Sequence, residues 1–335
     1  MNRPDPAAAT PPGGAAGPWT WAPPAPARIE RRVGLLRLDG PDTLRFLHGQ
    51  TSQDLQQARP GQRLATCALT PTGRLRALAE VLVDDAGAWL VITAGEGAAV
   101  RAALDRVLFP ADDVRLGEPA EALLVESLEG GAVPALPEAR GSWAPRAEGG
   151  LGLGERLLLT RGERLPEELA RLPLLEPWAV EFLRIRRGVP AAPAEVNDGL
   201  NPFEVGLAPW VSLAKGCYVG QETLARLATY DGVRQQLRRW ALAGGEGTTA
   251  PGAGATLCGP DGERAGTLTS VLELPRTGGP GPWTVGLALV RRAALGLETL
   301  RLAEGGSGLA MSVPEGFVAP PVGAGGQPSG GAPAS

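Results

Sequence analysis

Apolar residues recur in short runs along the first half of the chain, and turn residues separate these runs. Runs of four to ten residues with this punctuation are typical of strands. Strands are predicted at 33–39, 62–70, 74–83, 89–93, 111–116, 123–128 and 156–160. Pro71 to Gly73 is a turn signal between the second and third of them, so these two form a hairpin in an antiparallel sheet.

Helical spacing of apolar residues interrupts the strands at four places. Helices are predicted at 42–48, 97–109, 176–188 and 221–228. The third has the clearest ends, because three arginines crowd its last turn, Gly188 follows and Pro190 cannot continue it. Gly49 is expected to end the first helix, and Pro110 the second.

From about Val233 onward the pattern changes to short strands between Gly- and Pro-rich turns. They are predicted at 236–242, 254–258, 264–271, 271–274, 283–290 and 297–302. Such spacing favours a small antiparallel barrel. The fold class is therefore α+β with a C-terminal β-barrel.

Composition divides the chain further. Residues 1–27 and 319–335 are rich in Pro, Ala and Gly, and both are predicted to be disordered tails. Between them we expect a region at 28–235, built of two subdomains split near 117–150, and the barrel at 236–318. Cys67 and Cys258 are expected to serve packing or a turn.

Charge and cysteine content exclude several classes of protein. The net charge of −4 disfavours direct nucleic-acid binding, and no apolar run reaches the length of a membrane span. The N-terminus has no secretory pattern, and three separated cysteines form no disulfide framework, so a cytoplasmic location is expected. With one histidine, a zinc site is hard to build, and no metal is predicted in the chain itself.

The candidate chemistry is concentrated in Lys215-Gly-Cys-Tyr-Val-Gly-Gln-Glu222, called the signature segment here. It contains the only lysine of the chain, one of two tyrosines and one of three cysteines. An ammonium and a helix N-terminus close to Cys217 would favour its thiolate form. The alternative is that Cys217 is a buried small hydrophobe, and Lys215 either tunes this thiol or supports its loop.

Three further residues have two interpretations each. Glu204 could accept two parallel hydrogen bonds from an amino-pyrimidine edge, or be a solvated loop acid. Arg226 could bind an anionic ligand tail, or form a surface pair with Glu222. His48 is more simply a helix C-terminal residue that bonds freed carbonyls than a catalytic group.

The signature segment with Arg226 resembles that of the YgfZ family of folate-binding proteins, related to the T-protein of the glycine cleavage system, an aminomethyltransferase. Three other stretches are similar to that superfamily: Phe46-Leu-His-Gly-Gln-Thr-Ser-Gln-Asp54, Arg184-Ile-Arg-Arg-Gly-Val-Pro190 and Asn201-Pro-Phe-Glu204. The resemblance covers about 33–240.

This resemblance implies a T-protein-like ring of three subdomains with mixed and antiparallel sheets around a tetrahydrofolate site. It implies Glu204 at the pterin edge, Lys215, Gly216, Tyr218 and Arg226 as further binding residues, and Cys217 as the candidate catalytic thiol. It also implies assembly or repair of iron–sulfur client enzymes, including tRNA-modifying enzymes.

Two departures from the superfamily bear on activity. Gly73 is followed by Arg-Leu-Arg-Ala-Leu, without the acidic residues of aminomethyltransferases, so that activity is not expected. Ser52-Gln53 replaces the usual Thr-Asn pair. A folate-dependent one-carbon transferase with another group in place of the acid stays an alternative, as does, more weakly, an RNA-binding module that uses Arg234, Arg238 and Arg239.

Overall fold

The structure is a computed structural model, and it describes residues 17–129, 136–244, 250–274, 283–305 and 308–323. Within these ranges no helix has the length and apolar character needed to cross a membrane. Two β-structures, one large sheet and one barrel, account for most of the regular structure.

The large sheet contains ten strands, all of them antiparallel to their neighbours. They are β1 (Ala27–Asp39), β2 (Gln62–Leu69), β3 (Leu75–Asp84), β4 (Gly87–Ala94), β5 (Arg115–Leu116), β6 (Ala120–Leu128), β7 (Arg140–Ser142), β8 (Ala144–Pro145), β9 (Leu151–Leu153) and β10 (Arg156–Leu159). Their order is β7-β2-β3-β4-β1-β6-β10-β9-β8, with β5 also beside β1.

The strand β1 joins the two halves of this sheet. Its residues 34–39 pair with β4, and its residues 27–35 pair with β6. The predicted hairpin of β2 and β3 is confirmed and leads into β4. The first predicted strand is therefore longer than its apolar pattern indicated, because its N-terminal part pairs with a second strand, β6.

Five α-helices lie outside the strands in the described part of the chain. They are α1 (Thr43–Gln50), α2 (Gly97–Asp105), α3 (Glu167–Ala170), α4 (Pro177–Arg187) and α5 (Gln221–Thr229). The helix α4 buries Ala179, Phe182, Leu183 and Ile185, and it ends as predicted on Gly188, which has a left-handed φ of 71°. A Cβ atom there would also lie 2.4 Å from Pro314.

The C-terminal strands close into a barrel, as predicted. They are β11 (Gln235–Ala243), β12 (Thr256–Cys258), β13 (Arg264–Glu273), β14 (Trp283–Arg291), β15 (Thr299–Leu302) and β16 (Leu309–Ser312), in the order β11-β14-β13-β12-β15-β16. Trp240 fills the interior, and its indole nitrogen donates to the carbonyl of Leu287 at 3.1 Å. The segments predicted at 264–271 and 271–274 are one strand, and β16 was not predicted.

Three other predicted elements differ at their ends. The helix predicted at 97–109 stops at Asp105, because the carboxylate of Asp112 accepts the Phe109 amide at 3.0 Å and forms a turn instead. The strand predicted at 111–116 shrinks to two residues beside β1. The helix α1 continues through Gly49 and ends at Gln50.

Part of the predicted N-terminal tail is folded. Trp19 and Trp21 pack on Phe182 of α4, with ring centroids 5.7 and 5.2 Å away. Residues 17–27 are therefore part of the folded region, since buried aromatic surface offsets the entropy lost on ordering them. At the other end residues 319–323 are described, while the predicted disorder of 1–16 and 324–335 lies outside the described residues.

A buried ion-pair cluster shows that the large sheet is curled. Glu80 on β3 is fully buried and accepts from Arg63 on β2 and, through two bonds of 2.7 Å, from Arg156 on β10. The strands β3 and β10 are four places apart in the sheet, so only a curled sheet brings them together. Burial opposes ionisation, but the two guanidiniums outweigh it and lower the pKa of Glu80.

We predict that Glu80→Ala lowers the free energy of unfolding by about 3–5 kcal/mol, because it leaves two arginines buried without their partner. Urea denaturation measures this change. The matched control is Glu121→Ala, which removes the exposed pair with Arg32 and should change stability by less than about 1 kcal/mol. Equal effects of the two substitutions would contradict the structural role of the cluster.

Candidate functional site

The signature segment lies against the turn of the first hairpin. Gly220 and Gly73 have φ values of 83° and 70°. A Cβ atom on Gly220 would lie 2.8 Å from Cα of Gly73 and from the carbonyl oxygen of Thr70. Glycine is needed at both positions, since only a residue without a side chain allows this backbone approach. The contact places the residues after Gly73 beside the start of α5.

Lys215 binds the segment at the end of α1 and just after it. Its Nζ donates to the carbonyl oxygens of His48, Thr51 and Gln53, the last two at 2.6 and 2.8 Å. It also lies 4.4 Å from the ring centroid of Tyr218, a favourable cation–π distance. Three acceptors match the three N–H donors of an ammonium group, so Lys215 fixes the residues that follow α1.

These contacts resolve the two interpretations of Lys215 and Cys217. The ammonium of Lys215 is only 7% exposed and its three donors bind carbonyls, which makes it a support for its loop. Cys217 is exposed, so its interpretation as a buried small hydrophobe is wrong. Burial lowers the pKa of Lys215 to about 7, although the charge of Asp54 opposes the shift.

Tyr218 and His48 both contact this lysine. Tyr218 is buried in the core, and its hydroxyl has no hydrogen-bond partner among the described residues. Burial raises its pKa. His48 does not bond the freed carbonyls of α1, because its Nδ1 accepts from the Leu55 amide at 3.2 Å. Burial, and then the charge of Lys215, lower its pKa and favour this neutral form.

Glu204 is a buried carboxylate, so its interpretation as a solvated loop acid is wrong. It is 5% exposed and accepts from the Asn201 amide at 2.9 Å. Arg74, the residue after Gly73, donates to the same oxygen at 3.4 Å and to the carbonyl of Gly199 at 3.1 Å. Burial raises the pKa of Glu204, against the opposing effects of Asn201 and Arg74.

Glu204 and Arg226 line one cavity of about 470 Å³. We call it the arginine cavity, and its other lining residues are Arg74, Asn201, Thr223, Leu227, Gly232 and Arg234. Arg226 pairs with Glu222 at 2.6 Å, but both side chains are exposed, so the pair contributes only a few tenths of a kcal/mol and does not prevent other contacts. Three arginines therefore line the same cavity as the buried Glu204, and Arg74 contacts its carboxylate.

The predicted site residues do not all meet in this cavity. Lys215 and Tyr218 are buried and do not line the cavity, and Gly216 lies near His48, where an added Cβ would be 4.0 Å from Nε2. Sequence reasoning missed Arg74 and Arg234 as lining residues. Arg74 directly follows Gly73 of the hairpin, and this position is the one feature of the sequence that could have indicated its place at the site.

A second cavity of about 410 Å³ lies between the large sheet and α4. Its walls include Ile29, Leu78, Val180, Leu183 and Trp210, and we call it the apolar cavity. None of the predicted site residues lines it. The guanidinium of Arg184 at its edge is held by Glu181 at 2.7 Å and by Ser270 of the barrel. The described residues contain no cluster of histidine, cysteine and acidic side chains able to hold a metal ion.

Comparison with known proteins identifies the fold. No protein-family model matches the chain. A chloroplastic protein of Arabidopsis thaliana, named as a putative transferase, is 29% identical over 319 residues, which covers 84% of this chain and 69% of that protein. The crystal structure of glycine cleavage system aminomethyltransferase T from Bartonella henselae matches with a TM-score of 0.65 and 18% identity, over 89% of this chain and 88% of that one.

The chain therefore has the fold of the glycine cleavage T-protein, mixed α+β with the closed C-terminal barrel. At 18% identity this likeness establishes the fold and leaves the reaction open. The plant relative is chloroplastic by name, so the cytoplasmic location of this chain stays a prediction.

We predict that the stability difference between the wild type and Lys215→Met depends on pH. The folded-state pKa of Lys215 is about 7, below its ordinary value of 10.5. Between these values the unfolded chain binds a proton that the folded chain does not, so wild-type stability rises with pH relative to the variant. The slope is at most about 1.4 kcal/mol per pH unit. Urea denaturation from pH 6.5 to 9.5 measures it, and parallel profiles would contradict a titrating buried lysine.

Proposed function

We propose that this protein binds tetrahydrofolate in the arginine cavity, belongs to the YgfZ family, and serves the assembly or repair of iron–sulfur enzymes, including tRNA-modifying enzymes. The observation that carries the proposal is the buried Glu204 beside Arg74, Arg226 and Arg234. It combines an acceptor for a pterin with cations for a glutamate tail.

The two ends of folate need opposite chemistry, and the arginine cavity offers both. A pterin ring presents an amino group and a ring N–H on one edge, and a carboxylate accepts these two donors in parallel. Glu204 is desolvated, so such bonds compete little with water. The glutamate part of folate carries carboxylates, which the exposed guanidiniums of Arg226 and Arg234 can bind.

An accessory role fits the first hairpin better than aminomethyl transfer does. After Gly73 the hairpin has Arg74 next to Glu204, while Leu75 and Ala77 are buried. No carboxylate stands on this stretch to manage an amine. The fold and the plant transferase favour one alternative, a folate-dependent one-carbon transferase. Formation of methylene-tetrahydrofolate from a methylamine-type donor would favour that alternative.

We propose that Cys217 is the residue that acts on client enzymes. Its side chain is exposed at the end of the loop that leads into α5, on the segment that Lys215 fastens. An exposed thiol can reach a partner, which a buried one such as Cys67 cannot. The weaker RNA-binding interpretation has less support, because Arg238 is buried and Arg239 binds Glu315.

We predict that Glu204→Gln weakens tetrahydrofolate binding about 10- to 100-fold, since it replaces charged hydrogen bonds by neutral ones. Arg226→Gln should weaken binding less, because its guanidinium stays in solvent. Isothermal titration calorimetry measures both. The matched control Glu298→Gln, an exposed acid outside the cavity, should bind as the wild type does.

The apolar cavity provides the competing location for the ligand. Val180→Trp narrows that cavity and should leave the affinity for tetrahydrofolate unchanged. If Val180→Trp abolished binding while Glu204→Gln retained it, the ligand would lie in the apolar cavity and the role of Glu204 would be wrong. Absence of binding by the wild type would remove the folate assignment altogether.

We predict that Cys217→Ala lowers the activity of iron–sulfur enzymes in cells that depend on this protein, without changing tetrahydrofolate affinity, because the exposed thiol acts on the client. Enzyme activities in a complemented deletion strain measure the effect. Cys258→Ala, which changes a partly exposed barrel cysteine, is the matched control. Full client activity with Cys217→Ala would exclude the thiol from the mechanism.

A further inference from the structure

The residues that follow the barrel contact the turn after Glu204 and the end of α5. We call 313–323 the C-terminal strap. Its first part caps α4, where Glu315 and Gly316 donate their amides to the carbonyls of Arg186 and Arg187 at 3.2 and 2.9 Å. Its last residue, Gly323, donates its amide to the carbonyl of Ala228 in the final turn of α5 at 3.1 Å. One short segment thus satisfies the C-terminal carbonyls of two helices.

The middle of the C-terminal strap holds the turn that follows Glu204. Val318 forms a parallel bridge with Leu207 and donates its amide to the carbonyl of Gly206 at 3.1 Å. Gly206 has a φ of 81°, and a Cβ atom there would lie 2.5 Å from the ring of Phe317. The ring of Phe317 therefore rests directly on the backbone two residues after Glu204.

Charged groups anchor the same strap on the barrel side. The carboxylate of Glu315 lies 2.6 Å from Arg186, 3.3 Å from Arg239 and 3.7 Å from Arg187. The guanidinium of Arg238 lies 5.3 Å from the centroid of the Phe317 ring. Because Arg238 and Arg239 belong to β11, the strap connects the first barrel strand with α4 and the Glu204 turn.

We propose that the C-terminal strap is a positioning element of the arginine cavity, in which Phe317 sets the Glu204 turn and Gly323 ties down α5, the helix that carries Arg226. The barrel is closed by β16 at Ser312, before the strap begins, so the strap is not needed for barrel closure. Besides its contacts with α4 and β11, it contacts the segments that carry the carboxylate and one guanidinium of the cavity. The ligand in this inference rests on the proposed function, whereas the mechanical role of the strap does not.

Hydrogen exchange tests the mechanical role without any ligand. In Phe317→Ala the amides of Glu204 and Leu207, which bond to Asn201 and Pro202, should exchange about tenfold faster, while those of the β13–β14 ladder stay as in the wild type. Phe317→Leu should restore most of the protection. The control Val322→Ala changes an exposed side chain of the same strap and should have no effect.

Tetrahydrofolate titration of the same full-length variants tests the coupling to the site. Phe317→Ala should raise the dissociation constant about tenfold, and Phe317→Leu should bring it back towards the wild-type value. If Phe317→Ala does not fold, Glu315→Gln takes its place, with exchange at Glu204 and Leu207 expected to rise at least about threefold.

Two results would overturn the proposal. One is unchanged exchange at Glu204 and Leu207, or an equal rise throughout the barrel. The other is wild-type folate affinity in a variant whose Glu204 turn exchanges faster. A wild-type protein that binds no folate would refute the proposed function. The hydrogen-exchange measurement alone would then decide whether the strap positions the Glu204 turn.

Discussion

The arginine cavity depends on one backbone contact, the approach of Gly220 to Gly73. Neither position can carry a side chain, because both have positive φ and a Cβ on Gly220 would enter the hairpin turn. This contact brings Arg74, the residue before β3, to the helix that carries Arg226, more than a hundred residues later in the chain. The buried Glu204 lines the same cavity and accepts from Arg74.

Several cations of the chain bind acceptors inside the fold. The buried Glu80 binds two arginines, and Glu315 is surrounded by three. The planar guanidinium can serve a carboxylate with two parallel donors, which suits such clusters. The single lysine lies where three separate carbonyls converge. The three donors of a compact ammonium match this arrangement better than the planar donors of a guanidinium do. Each type of cation therefore lies where its donor geometry fits the acceptors.

Local patterns predicted much of the fold. The hairpin, the ends of α4 and the short strands of the barrel were visible because turn residues, caps and apolar spacing act within a few residues. The burial of Glu204 was not visible, since it depends on Arg74 and on a glycine contact far away in sequence. The packing of Trp21 on Phe182 and the course of the strap past Phe317 were missed for the same reason: weak local patterns were overruled by distant partners.

The strand β1 belongs to both parts of the large sheet and therefore constrains the order in which they can fold. Its N-terminal half pairs with β6, its C-terminal half with β4, and Arg28 also exchanges backbone hydrogen bonds with Pro173 and Leu175. The boundary predicted between subdomains near 117–150 is therefore crossed by a continuous ladder of hydrogen bonds. Neither part can complete its sheet before strands far apart in sequence have met, which costs loop-closure entropy early. Folding should accordingly be slower than for a chain of this length whose strands pair only with their neighbours in sequence.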